Sequence, residues 1–229
     1  MNALASRTFA ALRFRNYRLY LASQLVSFSG TWMQSLAQSW LVLELTGSGT
    51  ALGTVLAFQF LPTLFLAPVG GMIADRVDKR RLLIVTQTSA GMLSLLLGLL
   101  VLGGHVELWM VFTIAAGFGL ITAIDNPTRQ TFVAEMVGPE HITNAVTLNS
   151  VMVNAARALG PAFGGVLIAT LGIGQCFVVN AATYIVVIAT LMLLDRKTMH
   201  PAQRVERAPG QLRQGLAYGW RTPTLRTTL

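Results

Sequence analysis

Six long apolar runs, separated by short polar or charged segments, limit the folds open to this chain. A transmembrane helix needs about 20 mostly apolar residues, and each run has roughly that length or more. The runs lack the period-two alternation of barrel strands, so we predict six membrane-spanning helices. Their predicted bounds are Leu19–Leu43, Ala51–Ile73, Leu82–Leu102, Leu108–Thr128, Asn144–Leu171 and Cys176–Leu194.

The low content of charged residues also indicates a membrane protein. Only 11% of the residues are charged, whereas soluble domains carry about 25%. The net charge of +8 does not point to nucleic acid, because the basic residues other than Arg157 lie in the segments that flank the apolar runs. They form no basic stripe interleaved with aromatic side chains. The predicted fold is therefore an all-α, polytopic protein of the lipid bilayer.

The positions of Lys and Arg predict the orientation of the spans. If the N-terminus is cytoplasmic, every one of the 17 basic residues except Arg157 lies in a cytoplasmic segment. Cytoplasmic loops are enriched in Lys and Arg, so both termini are predicted to be cytoplasmic. Residues 1–18 then form a basic N-terminus, 19–194 the six-helix unit and 195–229 a cytoplasmic linker. Within that linker, 211–220 has the spacing of a short amphipathic helix, and a disordered basic tail explains it equally well.

The first run carries a polar stripe whose steps of three and four residues place it on one helix face. Such a face is costly in lipid, so it either lines a water-filled substrate pathway or hydrogen-bonds to other helices. The length of the stripe favours a pathway, which Gln59 of the second run would join. The stripe consists of Gln24, Ser27, Thr31, Gln34 and Gln38.

Arg157 lies midway along the fifth run, where a guanidinium needs a partner or water. Asn154 shares its helix face one turn earlier, and the possible acidic partners are Asp125 and Glu44. Two roles stay open for Arg157: contact with substrate or protons, and a structural ion pair.

Asp125 and Arg129 lie four residues apart near the predicted end of the fourth run, a spacing that allows them to pair. Pro127 stands between them and is predicted to bend or stop the helix, because proline has no backbone N–H group. Arg129 is also a possible partner for Asp75 in the neighbouring cytoplasmic loop.

Small residues in the fifth run predict a close helix contact. Gly160 and Gly164 have the small-xxx-small spacing, and Pro161 adds a kink beside them. Gly165 follows directly. A similar Pro–Gly–Gly segment at 67–71 lies in the second run, which predicts that the six helices form two inverted three-helix repeats.

No catalytic constellation is visible in the sequence. The three histidines lie in separate loops rather than at metal-ligand spacing, and no phosphate-binding loop is present. We therefore expect a protein that is not an enzyme and uses neither a cofactor nor a metal.

Three motifs resemble the major facilitator superfamily. Gly71-x3-Asp75-Arg76-x-Asp78-Lys79-Arg80-Arg81 is similar to its loop between helices two and three, with Asp78 in place of a glycine. Gly160-Pro161-x2-Gly164-Gly165 resembles its antiporter motif, with Thr147 and Ala156 at two upstream glycine positions. Asp125-Asn126-Pro127-x-Arg129-Gln130 and the segment 144–150 resemble the subgroup containing the enterobactin exporter.

The resemblance implies a mechanism. Members of the superfamily have two six-helix halves that rock around a midplane site, and many exporters exchange substrate for protons. It implies efflux of drug- or siderophore-like small molecules across a bacterial inner membrane, with this chain as the N-terminal half. A C-terminal half or a second copy would complete the transporter, and a non-transporting membrane partner is the alternative. The implied gate motif consists of Gly71, Asp75, Arg76, Arg80 and Arg129, and Asp75 would meet a helix N-terminus of the other half.

Overall fold

The computed structural model describes residues 9–200, which fold into long α-helices joined by short turns and contain no β-strand. The predicted all-α architecture is confirmed for this part of the chain. The predicted amphipathic helix at 211–220 and most of the predicted linker lie outside the described residues. The helices are α1 (Arg15–Thr46), α2 (Gly49–Arg76), α3 (Lys79–Leu102), α4 (Leu108–Val137), α5 (Ile142–Leu171) and α6 (Ile173–Leu193). Short 3-10 turns occur at Ala10–Arg13, Pro139–His141 and Arg196–Thr198.

Five of these helices, α2 to α6, are long and apolar enough to cross a membrane. The helix α1 has sufficient length, with 32 residues, but its polar stripe lowers its hydropathy. Large apolar side chains are exposed along α2, including Leu64 and Phe65 at 71% each. Such exposure is suited to lipid rather than to water.

The helix α4 differs most from its predicted bounds. It was predicted to end near Thr128, and it continues to Val137 with Pro127 inside it. Proline offers no N–H group to the Ala123 carbonyl, and Gly70 of α2 packs against that carbonyl. A β-carbon at Gly70 would lie 2.0 Å from Ala123 O. The predicted helix end was wrong because this contact with α2 accommodates the unpaired carbonyl within the helix.

Local signals explain the tight turns between the helices. The Ser48 side chain accepts a hydrogen bond from Ala51 N at the start of α2, and Asp78 accepts one from Arg81 N at the start of α3. Gly47 ends α1 with φ of 61° and Gly138 ends α4 with φ of 72°. Glycine adopts these left-handed conformations without steric strain.

The helices pack in pairs, α2 against α4 and α3 against α6, while α1 contacts both α5 and α6. One apolar cluster includes Leu97 and Phe177, and a second includes Leu83 and Leu191. The second cluster lies towards the end of the bundle where α1, α3 and α5 begin, which we call the basic end.

Polar contacts hold the basic end together. Lys79 Nζ lies 2.6 Å from Glu135 Oε1, which joins the start of α3 to α4. The Asn16 side-chain amide donates to the Asp195 carbonyl at 2.7 Å, and His200 N donates to the Glu135 carbonyl at 2.7 Å. The segment after α6 is thereby fixed across the start of α1 and the end of α4.

Candidate functional site

Asp125 is buried between α3 and α4, with 6% of its surface exposed. Its Oδ1 accepts hydrogen bonds from Thr86 Oγ1 at 2.6 Å and from Gln87 Nε2 at 2.9 Å, both on α3. Its Oδ2 accepts one from Arg129 Nε. A buried carboxylate is tolerated when it is paired and hydrogen-bonded in this way, so Asp125 is a saturated group turned towards α3.

Arg129 joins α4 to α1. Its guanidinium carbon lies 5.0 Å from the centre of the Phe28 ring, a distance typical of a cation–π contact. Arg129 pairs with Asp125, as the four-residue spacing allowed. The alternative pairing with Asp75 was wrong, because Arg129 lies inside the bundle while Asp75 is exposed at the end of α2.

A cavity of about 270 Å³ lies between α1, α4 and α5. Three atoms of its lining residues are buried without a hydrogen-bond partner in the described part of the chain: the Tyr20 hydroxyl, Gln24 Oε1 and Arg129 Nη1. Buried polar atoms are rarely left unpaired, so water or a ligand is expected there. The polar lining residues are Tyr20, Gln24, Asn126, Arg129, Gln130 and Asn149.

Arg157 lies on α5 one turn beyond the cavity-lining Val153, where α5 packs against α1. Its guanidinium carbon lies 4.8 Å from the centre of the Trp32 ring, and its side chain is exposed. Neither predicted acidic partner contacts it: Asp125 is held by α3 and Arg129, and Glu44 accepts a hydrogen bond from Trp40 Nε1 at 2.9 Å. Asn154 is exposed on this face, and its amide donates to the Ser150 carbonyl.

The polar stripe of α1 has two environments. Gln24 lines the cavity, whereas Gln34 accepts hydrogen bonds from Ser94 of α3 and Asn180 of α6. Gln34 therefore joins helices, which is the alternative that the sequence left open. Thr31 is exposed, while Ser27 and Gln38 are buried.

Gln59 lies outside this arrangement, on α2. Its backbone carbonyl forms part of the α2–α4 crossing, where a β-carbon at Gly119 would lie 2.3 Å from it. The structure therefore places Gln59 at a helix contact rather than among the residues that line the cavity.

The charged segment between α2 and α3 contains exposed residues as well as an arginine that contacts α6. Asp75 and Arg76 are exposed, and Asp75 makes no ion pair within residues 9–200. Arg80 Nη2 donates to the Met192 carbonyl at 2.7 Å. Arginine at this position satisfies free carbonyl groups at the end of α6. A β-carbon at Gly71 would meet nothing within 4 Å.

The glycines of α5 differ in whether another helix packs against them. A β-carbon at Gly160 would lie 2.5 Å from Ser29 O of α1, and one at Gly164 would lie 3.2 Å from the Met33 side chain. One at Gly165 would meet nothing within 4 Å. Pro161 lies inside the continuous α5 helix.

Comparison with known proteins decides the family. Residues 6–229 match the profile of a family described as transmembrane secretion effector, within the major facilitator superfamily. The chain belongs to the major facilitator superfamily. Its superfamily relatives include the staphyloferrin A transporter of Staphylococcus aureus, 27% identical over 79% of this chain and 46% of the relative. The multidrug efflux pump Tap of Mycobacterium tuberculosis is 28% identical over 91% of this chain and 52% of the pump.

A third relative, the uncharacterized MFS-type transporter YfiS of Bacillus subtilis, is 28% identical over 94% of this chain and 52% of its own length. The chain thus spans about half the length of the curated relatives it matches. Family membership and the five helices that are long and apolar enough to span a membrane, among residues 9–200, identify a multi-pass membrane protein whose relatives are named as transporters.

Three aromatic residues of α1 that the sequence did not single out lie beside the cavity or Arg157: Tyr20, Phe28 and Trp32. They share a helix face with Gln24, which the polar stripe had predicted for the pathway. Their spacing was visible in the sequence, but aromatic residues in an apolar run do not stand out from residues that face lipid.

Proposed function

We propose that this chain is the N-terminal six-helix half of a secondary active exporter of small molecules, working by alternating access with a second six-helix unit. The polar face of α1, α4 and α5 carries the proposal. It combines the cavity beside Arg129 with an exposed guanidinium at Arg157. Such a face is costly in lipid and is suited to one wall of a water-filled pathway.

The packing of the helices supports two inverted three-helix repeats. If α1–α3 are exchanged with α4–α6, the α2–α4 contact becomes an α5–α1 contact, and α1–α6 becomes α4–α3. All four contacts occur. The first two are alike in detail, since Gly70 packs on the Ala123 carbonyl and Gly160 packs on the Ser29 carbonyl.

The gate motif supports a contact with a second unit. Asp75 is exposed and lacks an ion pair among the described residues, so it is free to meet a helix N-terminus from a C-terminal half or a second copy. Arg80 would act indirectly, because its contact with α6 fixes the start of α3.

Charge and the names of the relatives support the remaining features. Basic residues gather at one end of the helices. This supports a cytoplasmic position for both chain termini in a bacterial plasma membrane. Relatives named as a multidrug efflux pump and a staphyloferrin A transporter support export of drug- or siderophore-like compounds. The Asp125–Arg129 pair is the proposed site of proton coupling, because a change in protonation would alter its charge balance.

Accumulation of fluorescent dyes in bacterial cells tests this function. Cells that lack their own efflux pumps and express the protein should accumulate less carboxyfluorescein or less ethidium, and a protonophore should abolish the difference. Asp75→Asn should reduce export at equal membrane level, whereas Glu140→Gln, at an exposed site beyond the pathway, should not. Stable membrane insertion without export of either dye would instead favour a non-transporting membrane partner.

A further inference from the structure

Two guanidinium groups lie on successive aromatic rings of α1. Arg129 reaches Phe28 from α4, at 5.0 Å from the ring centre, and Arg157 reaches Trp32 from α5, at 4.8 Å. Phe28 and Trp32 are one turn apart, which corresponds to a rise of about 6 Å. Three helices thus bring two positive charges to neighbouring positions; we call Arg129 and Arg157 the guanidinium pair.

The guanidinium pair retains unused hydrogen-bond donors. Asp125 binds Arg129 through Nε, while Arg129 Nη1 is buried with no partner among the described residues. Arg157 is exposed and forms no ion pair within residues 9–200. A guanidinium presents five N–H donors in a planar fork that matches the two oxygens of a carboxylate.

The same surface offers no free carboxylate to a cation. Among the acidic residues of the described chain, Asp125 alone lies far from the ends of the long helices. Its two oxygens are occupied by Thr86, Gln87 and Arg129. The remaining polar residues around the cavity are amides and a tyrosine, so the charge of this wall is positive.

We propose that the guanidinium pair binds an organic anion, and that the transported substrates are carboxylate-bearing compounds rather than lipophilic cations. One carboxylate would bind Arg157, and an oxygen of the same ligand would accept from Arg129 Nη1 or the Tyr20 hydroxyl. The aromatic rings hold both guanidinium groups in place before the ligand arrives, which lowers the entropy lost on binding. This inference rests on the proposed function and names the substrate class of that pathway.

Calorimetry on the purified chain in lipid nanodiscs tests the binding site, with citrate as the anionic probe and tetraphenylphosphonium as the cationic probe. Citrate should bind, and Arg157→Gln should weaken its binding by about tenfold or more, equivalent to about 1.4 kcal/mol. Arg157→Lys should restore part of the affinity, because it keeps the charge and loses the planar fork. Phe28→Leu, which removes the ring under Arg129, should weaken citrate binding less than Arg157→Gln does.

The matched control is Arg13→Gln, which removes the same charge from an exposed site at the basic end. It should leave citrate binding unchanged. Equal losses from Arg13→Gln and Arg157→Gln would overturn the proposal, because citrate would then respond only to overall charge. Binding of tetraphenylphosphonium without binding of citrate would overturn it as well.

The dye assay separates this inference from the proposed function. Export of ethidium but not carboxyfluorescein, with no binding of citrate, would leave the exporter standing and refute the anion site. Binding of citrate that depends on Arg157, with export of neither dye, would support the anion site and refute the exporter.

Discussion

Asp125 shows how single residues make a charge acceptable inside this bundle. The carboxylate depends on two uncharged donors of α3 and on Arg129 of its own helix. Arg129 depends on Asp125 for its negative partner and on Phe28 for an aromatic surface. Because each charge is stabilised by the other, removing one should be worse than removing both.

We therefore expect Asp125→Asn to lower the free energy of unfolding by about 3–5 kcal/mol, the range for breaking a buried ion pair. Arg129 would stay in the bundle without its counter-ion. The double variant Asp125→Asn/Arg129→Gln should be more stable than Asp125→Asn alone. Unfolding in mixed detergent micelles, followed by circular dichroism, measures this, with Glu140→Gln as an exposed control; equal stability of the single and double variants would contradict the prediction.

Residue contacts were predictable from the sequence where they are local. The four-residue spacing of Asp125 and Arg129 predicted that they could pair, although the sequence left Asp75 as an equal alternative partner for Arg129. The contact between Arg157 and Trp32 joins α5 to α1, and its geometry depends on how these helices cross. For the same reason, the sequence placed Gln34 on the polar face of α1 but did not identify Asn180 and Ser94 as its partners.

At the scale of the elements, two helix crossings depend on glycines that allow backbones to touch. Each of these glycines lies in a segment with a second glycine that faces open space: Gly70 with Gly71, and Gly160 with Gly165. The second glycine of each segment provides a matched control, since both positions are helical and differ mainly in their surroundings.

We expect Gly70→Ala and Gly160→Ala to destabilise the protein, because the new methyl group would overlap a backbone carbonyl of α4 or α1. Overpacking of this kind costs about 1–3 kcal/mol. Gly71→Ala and Gly165→Ala should be neutral or stabilising by up to about 1 kcal/mol, the difference in helix propensity. Unfolding in detergent measures all four variants, and similar values within each pair would argue against close crossings.

The elements themselves were predicted well, and their ends less well. Apolar length located the six long helices, of which α2 to α6 are apolar enough to cross a membrane, while α4 was predicted to stop near Pro127 and continues to Val137. Proline usually ends a helix because of its missing donor. Here Gly70 packs beside the freed carbonyl, a contact 53 positions away in the chain that no local pattern reveals.

At the scale of the whole molecule, charge is distributed along the bundle axis. The basic end contains the starts of α1, α3 and α5, while the turns at Gly47, Gly104 and Gly172 lie at the other end without Lys or Arg. This asymmetry predicts one orientation in the membrane.

Labelling with a membrane-impermeant maleimide on intact cells tests the orientation. In a Cys176→Ala background, His105→Cys should react from outside the cell, because the proposed orientation places residue 105 in a turn on the outer side. Arg196→Cys should react only after the membrane is permeabilised. The opposite pattern would show that the orientation is inverted, and a variant that retains dye export confirms that the labelled protein is folded.

The position of Pro127 between Asp125 and Arg129 has a mechanical consequence for α4. The missing N–H group removes the backbone hydrogen bond from residue 127 to residue 123, and the side chains of Asp125 and Arg129 bridge the overlapping interval from 125 to 129. The ion pair therefore connects the helix turns on either side of the missing hydrogen bond and resists bending of α4 there. A proton taken up by Asp125, or a ligand that draws Arg129 away, would weaken this connection. The parts of α4 before and after Pro127 could then change their angle.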